Sequence, residues 1–376
     1  MPLYLDCNAT TPIEPQVRDK IIHYLDVEYG NAASRTHTWG TSAKQAVQKA
    51  RAQVAQVIDV KAEEVIFTSG ATESNNLAIL GLEAFGSKTG KKHIVSTTIE
   101  HKAVLEPIDV LAQKGFEVTL VSPDETGRVK LEDIQAALRE DTMLVSVMQA
   151  NNETGVLQPI SDLAEMLMNH EAFFHVDAAQ GFGKEMKSLT HKRIDLISIS
   201  GHKIFGPKGI GALVTKRRGF KKLPLTPLMF GGGHERGLRP GTLPVHLIVG
   251  LGEASDLAIK NHVSRQEKCM KYRERVLEAL NSLNPQINGD KENILPHVLN
   301  LSFPAINSEA AIVALKDIIS FSNGSACTSQ SYELSHVLVA MGLTETRIKN
   351  ALRISWCHMS EHPDWNDVVN RLSKLS

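Results

Sequence analysis

The chain of 376 residues carries 41 basic and 42 acidic side chains, a formal net charge of −1. It is long enough for one large domain and one smaller one, and its balanced charge argues against an overall field that would hold it to nucleic acid or an acidic membrane. The four cysteines, Cys7, Cys269, Cys327 and Cys357, form no Cys-x-x-Cys pair, so a disulfide framework is not expected and a reducing cytoplasm is.

The opening MPLYLDCNATTP has neither the basic leader nor the apolar core of a secretory signal. No run reaches the roughly 18 apolar residues that a membrane span needs. Short runs rich in β-branched residues then follow in order: EEVIFTS (63–69), KHIVSTT (92–98), FEVTLVS (116–122), TMLVSVM (142–148), AFFHVD (172–177) and DLISIS (195–200). These predict strands. Between them TESNNLAILGLEAFG, HKAVLEPIDVLAQKG, KLEDIQAALRE and ISDLAEMLMNH show helical spacing. Such alternation predicts crossover units, a mainly parallel sheet and an α/β fold. Beyond GIGALVT the texture changes to Gly, Pro and Lys/Arg over 216–237, and GEASDLAIKNHVSRQEKCMKYRERVLEALNSL predicts one long helix. HVLNLSF, EAAIVALKD and IISFS then suggest a smaller α+β unit. The expected division is a large domain over 15–259 and a small one formed by 1–14 with 260–376.

Ligands of open parallel sheets bind at the carboxyl ends of the strands, so the residues after each strand are the candidates. They are Gly70-Ala-Thr-Glu73, His101, Asn151-Asn-Glu-Thr154, Asp177 with Gln180, and Gly201-His-Lys203. The small residues at Gly70 open a helix whose free N–H groups attract phosphate, though an ordinary βα turn reads the same way. Gly206-Pro-Lys-Gly-Ile-Gly211 lacks the G-K-[ST] ending of a nucleotide loop. Asp177 follows an apolar strand, where it either caps the next helix or holds a positive ring nitrogen. Lys203 ends a buried-looking strand; it either reaches solvent or is a desolvated amine suited to Schiff-base chemistry. Cys327 lies in SNGSACTS, among small and polar residues that do not bury a thiol, an unusual setting for cysteine.

Taken together, YLDCNATTP (4–12), FTSGATESNNLAI (67–79), EHKAVL (100–105), NNETG (151–155), HVDAAQ (175–180), SGHKIFGPKGIGAL (200–213), GGGHERGLRPGT (231–242), SNGSACTS (322–329) and LRIS (352–355) resemble the cysteine desulfurases. These are pyridoxal 5′-phosphate enzymes of aminotransferase fold type I. The resemblance spans nearly the whole chain and implies conversion of L-cysteine to L-alanine, with the sulfur kept as a Cys327 persulfide for an acceptor protein. It implies Lys203 as the Schiff-base lysine and His101 as the residue stacked on the cofactor and moving protons. Asp177 and Gln180 would face the pyridine nitrogen and phenolic oxygen, with Gly70, Ala71, Thr72, Ser200 and His202 around the phosphate. Thr242 would come to that site from the other subunit of a homodimer. Asn152 would lie beside cofactor and substrate, Arg353 would clamp the substrate carboxylate, and Asn31 would lie on the substrate side. The loop type resembles the long-loop branch, which passes sulfur to partner proteins in iron–sulfur assembly, tRNA thiolation or DNA phosphorothioation.

Ala32 and Pro240 depart from that family's usual proline and serine. Cys7 reads as a small packing residue. Cys357, His358 and His362 lack a supporting shell of partners, and no metal site is expected. The run Lys216-Arg-Arg-Gly-Phe-Lys-Lys222 reads as a solvated loop rather than a nucleic-acid contact. A selenocysteine lyase or an aminotransferase is the nearest rival; an aminotransferase would not need Cys327. A non-catalytic scaffold would need neither Lys203 nor Asp177.

Overall fold

The computed structural model describes residues 1–219, 221–323 and 334–375. After β1 (Leu3–Tyr4) and two helices, α1 (Pro15–Asp26) and α2 (Thr38–Val57), the chain builds a seven-stranded sheet. Its strands are β2 (Val65–Thr68), β3 (His93–Thr97), β4 (Glu117–Val121), β5 (Thr142–Met148), β6 (Phe173–Asp177), β7 (Leu196–Ser200) and β8 (Gly211–Thr215). The spatial order is β2-β8-β7-β6-β5-β3-β4, with only β8 running against its neighbours. All residues of β2, β3, β5, β6 and β7 are buried. Helices cover both faces, which is why these strands are near-continuous apolar runs rather than alternating ones. Phe174 and Val176 enter the core under α1, α2 and the helix Val245–Lys260, while Phe173 enters the core on the opposite face.

The six predicted strands are present within a residue or two of their expected ends. The long helix is not continuous. It divides at Asn261 (φ −105°, ψ 8°) into Val245–Lys260 and His262–Leu280. The second of these packs on a separate core with Leu5, Leu299, Leu301, Ile354, Trp356 and Val368. That core is framed by β9 (Gln286–Ile287), β10 (Val298–Ser302) and β12 (Ala351–Ser355) in one antiparallel sheet, and by β11 (Ile319–Ser320) paired with β1.

The start of the basic run after β8 departs from its solvated-loop reading, while Arg217, Lys221 and Lys222 are exposed as that reading expects. Lys216 is buried and donates to Leu189 O (3.1 Å) and His191 O (3.0 Å). Arg218 and Arg193 both bind the Asp195 carboxylate, at 2.7 Å each. Asp195 sits just before β7, almost wholly buried, and a carboxylate there must find cationic or N–H partners. Arg218 therefore turns inward to meet it, while Lys216 meets backbone carbonyls instead.

Candidate active site

The carboxyl ends of β2, β3, β5, β6 and β7 open onto one cavity of about 570 Å³. Eleven of the predicted residues line it: Gly70, Ala71, Thr72, His101, Asn152, Asp177, Gln180, Ser200, His202, Lys203 and Arg353. Thr242 and Asn31 are exposed and do not line the cavity of their own chain. Cys327 lies outside the described residues. The residues flanking that stretch are tied to the site. Ser322 N donates to Arg353 O (3.2 Å), and Ser335 Oγ donates to the Glu153 carboxylate.

Two glycines make the β2 end possible. Gly70 has φ +155°, a conformation that strongly favours glycine, and a Cβ on Gly211 of β8 would stand 2.6 Å from Gly70 Cα. The helix α3 (Ala71–Leu80) starts immediately afterwards and directs its first N–H groups toward the cavity end of the sheet.

Asp177, at the end of β6, is 5 % exposed. One of its oxygens accepts from Ala179 N (2.9 Å) and the other from Asn75 Nδ2 (2.7 Å). The helix cap weighed from sequence is not there: residues 179–184 form a turn, and one Asp177 oxygen holds the Ala179 N–H within it. Asn75 was not among the sequence candidates. Its signal was helical spacing, since Asn75 shares a face of α3 with Ala71 and Thr72 at i,i+4 and i,i+3.

Lys203 follows β7 in a single turn, Gly201–Lys203. Its ammonium donates to Ala9 O (2.9 Å) and to Asn8 O. Gln180 Nε2 donates to the same Asn8 O (3.0 Å). His101 caps the helix Lys102–Gln113, its Nδ1 accepting from Ala103 N (3.1 Å), which leaves Nε2 as the protonated nitrogen. Burial holds the His101 imidazole below its ordinary pKa, with the Asp177 carboxylate opposing. His202 is pushed down to about 4 by burial and by Lys203 and Lys208. Both rings are therefore neutral at pH 7.

Arg353 projects from β12 and is 1 % exposed. It donates to Asp6 (2.7 Å) and to Asn152 O (3.0 Å), and its Nε has no partner among the described residues. Asn8 Oδ1, Asn75 Oδ1 and Gln180 Oε1 are likewise buried and unpartnered among the described residues. Buried polar atoms normally find partners, so these mark a surface built for a polar ligand. The three residues that suggested a metal face different partners. His362 stacks on Tyr272 (ring centroids 4.1 Å apart), His358 meets Glu14 (3.2 Å), and Cys357 packs with Cys7 and Phe205.

Glu100, beside His101, is wholly buried. Its Oε1 accepts from Thr97 Oγ1 (2.7 Å) and Met148 N (2.9 Å), and burial pushes its carboxyl up to about 8. The unfolded chain loses this proton near 4.3 while the native chain keeps it until about 8, so stability falls as pH rises through that window. Glu100→Gln keeps the shape and is expected to abolish that fall. Urea unfolding at about pH 5 and pH 9 should show the wild type losing on the order of 3–5 kcal/mol more than the variant; equal losses would place the charge elsewhere.

The cavity defines an enzyme of the fold type I class, with a lysine, an aspartate and a helix N-terminus at the carboxyl edge of a mainly parallel sheet. The comparisons agree. The family model Aminotransferase class-V matches residues 3–367. The cysteine desulfurase IscS of Vibrio cholerae is 45 % identical over 359 residues, covering 95 % of this chain and 88 % of that one. Among solved structures, DndA from Streptomyces lividans has a TM-score of 0.83 at 48 % identity, covering 93 % of this chain and 98 % of that one. SspA in complex with cysteine has a TM-score of 0.83 at 34 % identity, covering 96 % and 100 %. The chain belongs to the aminotransferase class-V family and, within it, to the cysteine desulfurases. These are pyridoxal-phosphate enzymes, and the site fits that cofactor. The α3 N-terminus with Thr72, Ser200 and His202 suits its phosphate, Asp177 its ring nitrogen, Gln180 Oε1 its ring substituents and Lys203 its aldehyde.

Proposed function

We propose that this cavity takes L-cysteine and, through the residues named above, delivers its sulfur to Cys327 and leaves L-alanine. The observation that carries this reading is the convergence of Lys203, Asp177, His101 and Arg353 on one cavity from four different strands. Bound pyridoxal phosphate supplies an electron sink for the bonds at the substrate's Cα.

The chain's own residues do the rest. Lys203 Nζ, placed beside the Asn8 and Ala9 carbonyls at the cavity floor, would take up the Cα proton as the neutral amine. Asp177, fixed by Asn75 and Ala179, keeps a negative charge against the ring nitrogen. His101 presents a neutral ring with a proton at Nε2 for transfer within the cavity. Arg353 offers its fork to the substrate carboxylate, with Asp6 holding the guanidinium in place. The Cys327 thiolate then forms an S–S bond to the substrate sulfur as the Cβ–S bond breaks. Ser322 and Ser335 bring the chain carrying Cys327 out from beside Arg353 and back in beside Glu153.

The dimer also belongs to this proposal. Thr242 is exposed, and Leu228, Met229 and Phe230 nearby are exposed too, Phe230 at 89 %. An apolar group of this kind suits burial against a second copy, whose phosphate site Thr242 would complete. Among the described residues no helix is long and apolar enough to cross a membrane. We place the enzyme in the cytoplasm, where thiols stay reduced, with an acceptor protein as the destination of the sulfur. We also propose that residues 15–259 and residues 1–14 with 260–376 are its two domains.

The experiment is a paired product assay. With L-cysteine and a thiol reductant, the holoenzyme should release alanine and sulfide in equal amounts, and Cys327→Ser should lose sulfide release. An aminotransferase would be unaffected by that substitution, and retained activity would favour it.

A further inference from the structure

A second group of thiols lies outside the cofactor cavity. Cys7 and Cys357 pack with Phe205 as one cluster, although they lie near opposite ends of the chain. Their segments run side by side. Cys7 N donates to Ser355 O (3.0 Å), Ser355 N donates to Leu5 O (2.8 Å), and Asn8 N donates to Ser355 Oγ (2.9 Å). Both cysteines line a surface cleft of about 550 Å³ with Tyr4, Thr10, Met359 and Ser360. None of the residues lining this cleft lines the cofactor cavity. Cys7 and Cys357 also line a smaller pocket of about 40 Å³, together with Lys184, His297 and Cys269.

We propose that Cys7 and Cys357 form a dithiol that exchanges with small disulfides entering the cleft and closes to an intramolecular Cys7–Cys357 disulfide. This is a modification site distinct from the sulfur-carrying Cys327 and independent of the desulfurase reading. Packing alone is the ordinary explanation of a buried cysteine, and the surroundings of this pair differ from it. The Cys7 and Cys357 side chains pack against each other, and the Ser360 hydroxyl donates to Cys357 Sγ at 3.6 Å. Contact with its partner thiol, with burial, pushes Cys7 up, while the same contact and the Ser360 donor bring Cys357 down. Lys184, deeply placed beside His297 Nε2 (3.1 Å), adds a positive field at the back of the cluster. One sulfur is thus prepared to attack and the other holds the proton, the asymmetry of a working dithiol. Cys269, which lines that smaller pocket, has no such donor among the described residues, and burial pushes its thiol up to about 12.

The steps balance. Cys357 thiolate attacks one sulfur of a disulfide R–S–S–R, forming Cys357–S–S–R and expelling R–S⁻. Cys7 Sγ then attacks the Cys357 sulfur, expelling the second R–S⁻, which leaves with the Cys7 proton. The two cysteines are oxidised to one disulfide while the incoming disulfide is reduced to two thiols. Closure would tie the N-terminal segment to the loop after β12, one residue from the Asn8 carbonyl that holds Lys203.

The test uses the Cys327→Ser holoenzyme, so that Cys327 neither competes nor reports. It is treated with limiting 2,2′-dipyridyl disulfide, quenched with an alkylating agent and mapped by peptide mass. The expected result is a Cys7–Cys357 cross-linked peptide with two thiopyridones released for each bond formed, while Cys269 remains alkylated. Cys357 should react at least about tenfold faster than Cys269, and Cys7→Ser should leave the mixed disulfide standing on Cys357. The cross-link is read with both cysteines intact, so misfolding of the variant cannot imitate it. Cys357 reacting no faster than Cys269, or a mixed disulfide persisting on Cys357 with Cys7 present, would overturn the proposal.

Discussion

Replacing Lys203 by alanine is expected to cut sulfide and alanine production by at least about 10³-fold, with the fold intact. The side chain is the amine nearest the floor of the cavity, and its ammonium is positioned by Ala9 O and Asn8 O. Among the described residues only Lys208 joins it as a second lysine lining that cavity. Asn8 O keeps its bond from Gln180 Nε2 (3.0 Å) in the variant, so only Ala9 O loses a partner. Removing a half-buried ammonium also removes its desolvation cost. The variant should therefore unfold within about 2 kcal/mol of the wild type. It should still take up pyridoxal phosphate while losing the absorbance of the covalently held cofactor. Unchanged turnover would remove Lys203 from the chemistry altogether.

Asp177→Asn is expected to lower kcat by about 10²–10³-fold with a smaller change in KM. The substitution keeps volume and shape, and it isolates the charge. Both carboxylate oxygens accept hydrogen bonds, one from Asn75 Nδ2 at 2.7 Å and one from Ala179 N at 2.9 Å. An amide has only one acceptor oxygen, so one donor is left unsatisfied, at a stability cost of about 1–3 kcal/mol. Asn75→Ala provides the complementary test of positioning. It leaves the charge and frees one oxygen, so it should lower kcat by less than Asp177→Asn. If the two variants behaved alike, geometry rather than charge would be the contribution of Asp177.

Much of the sheet was legible because its central strands are buried on both faces. A run such as TMLVSVM has no polar face to hide its period, and β5 occupies those seven residues. The rule that ligands meet strand ends then picked out His101, Asp177, Gln180 and Lys203 before any contact was known. What the sequence concealed was tertiary pairing. Asp6 and Arg353 lie at opposite ends of the chain and join only because β12 and the N-terminal segment run together. Asn75 looked like one more polar residue on a helix until β6 placed Asp177 against it. The helix through 252–283 gave no glycine or proline to mark its break at Asn261. Lys216 and Arg218 read as a solvated run because the buried carboxylate that turns Arg218 inward, Asp195, lies twenty residues or more earlier in the sequence. Cys7 and Cys357 belong to this class too: each is unremarkable alone, and their contact is a product of the fold.

In the proposed reaction sulfur leaves L-cysteine for Cys327 under the control of Lys203. Peptide mass mapping of the holoenzyme after incubation with L-cysteine, without reductant, tests it most directly. An extra sulfur atom on the Cys327 peptide, absent from Lys203→Ala treated in the same way, is the predicted result. An unmodified Cys327 in a protein that holds pyridoxal phosphate and turns over L-cysteine would contradict it.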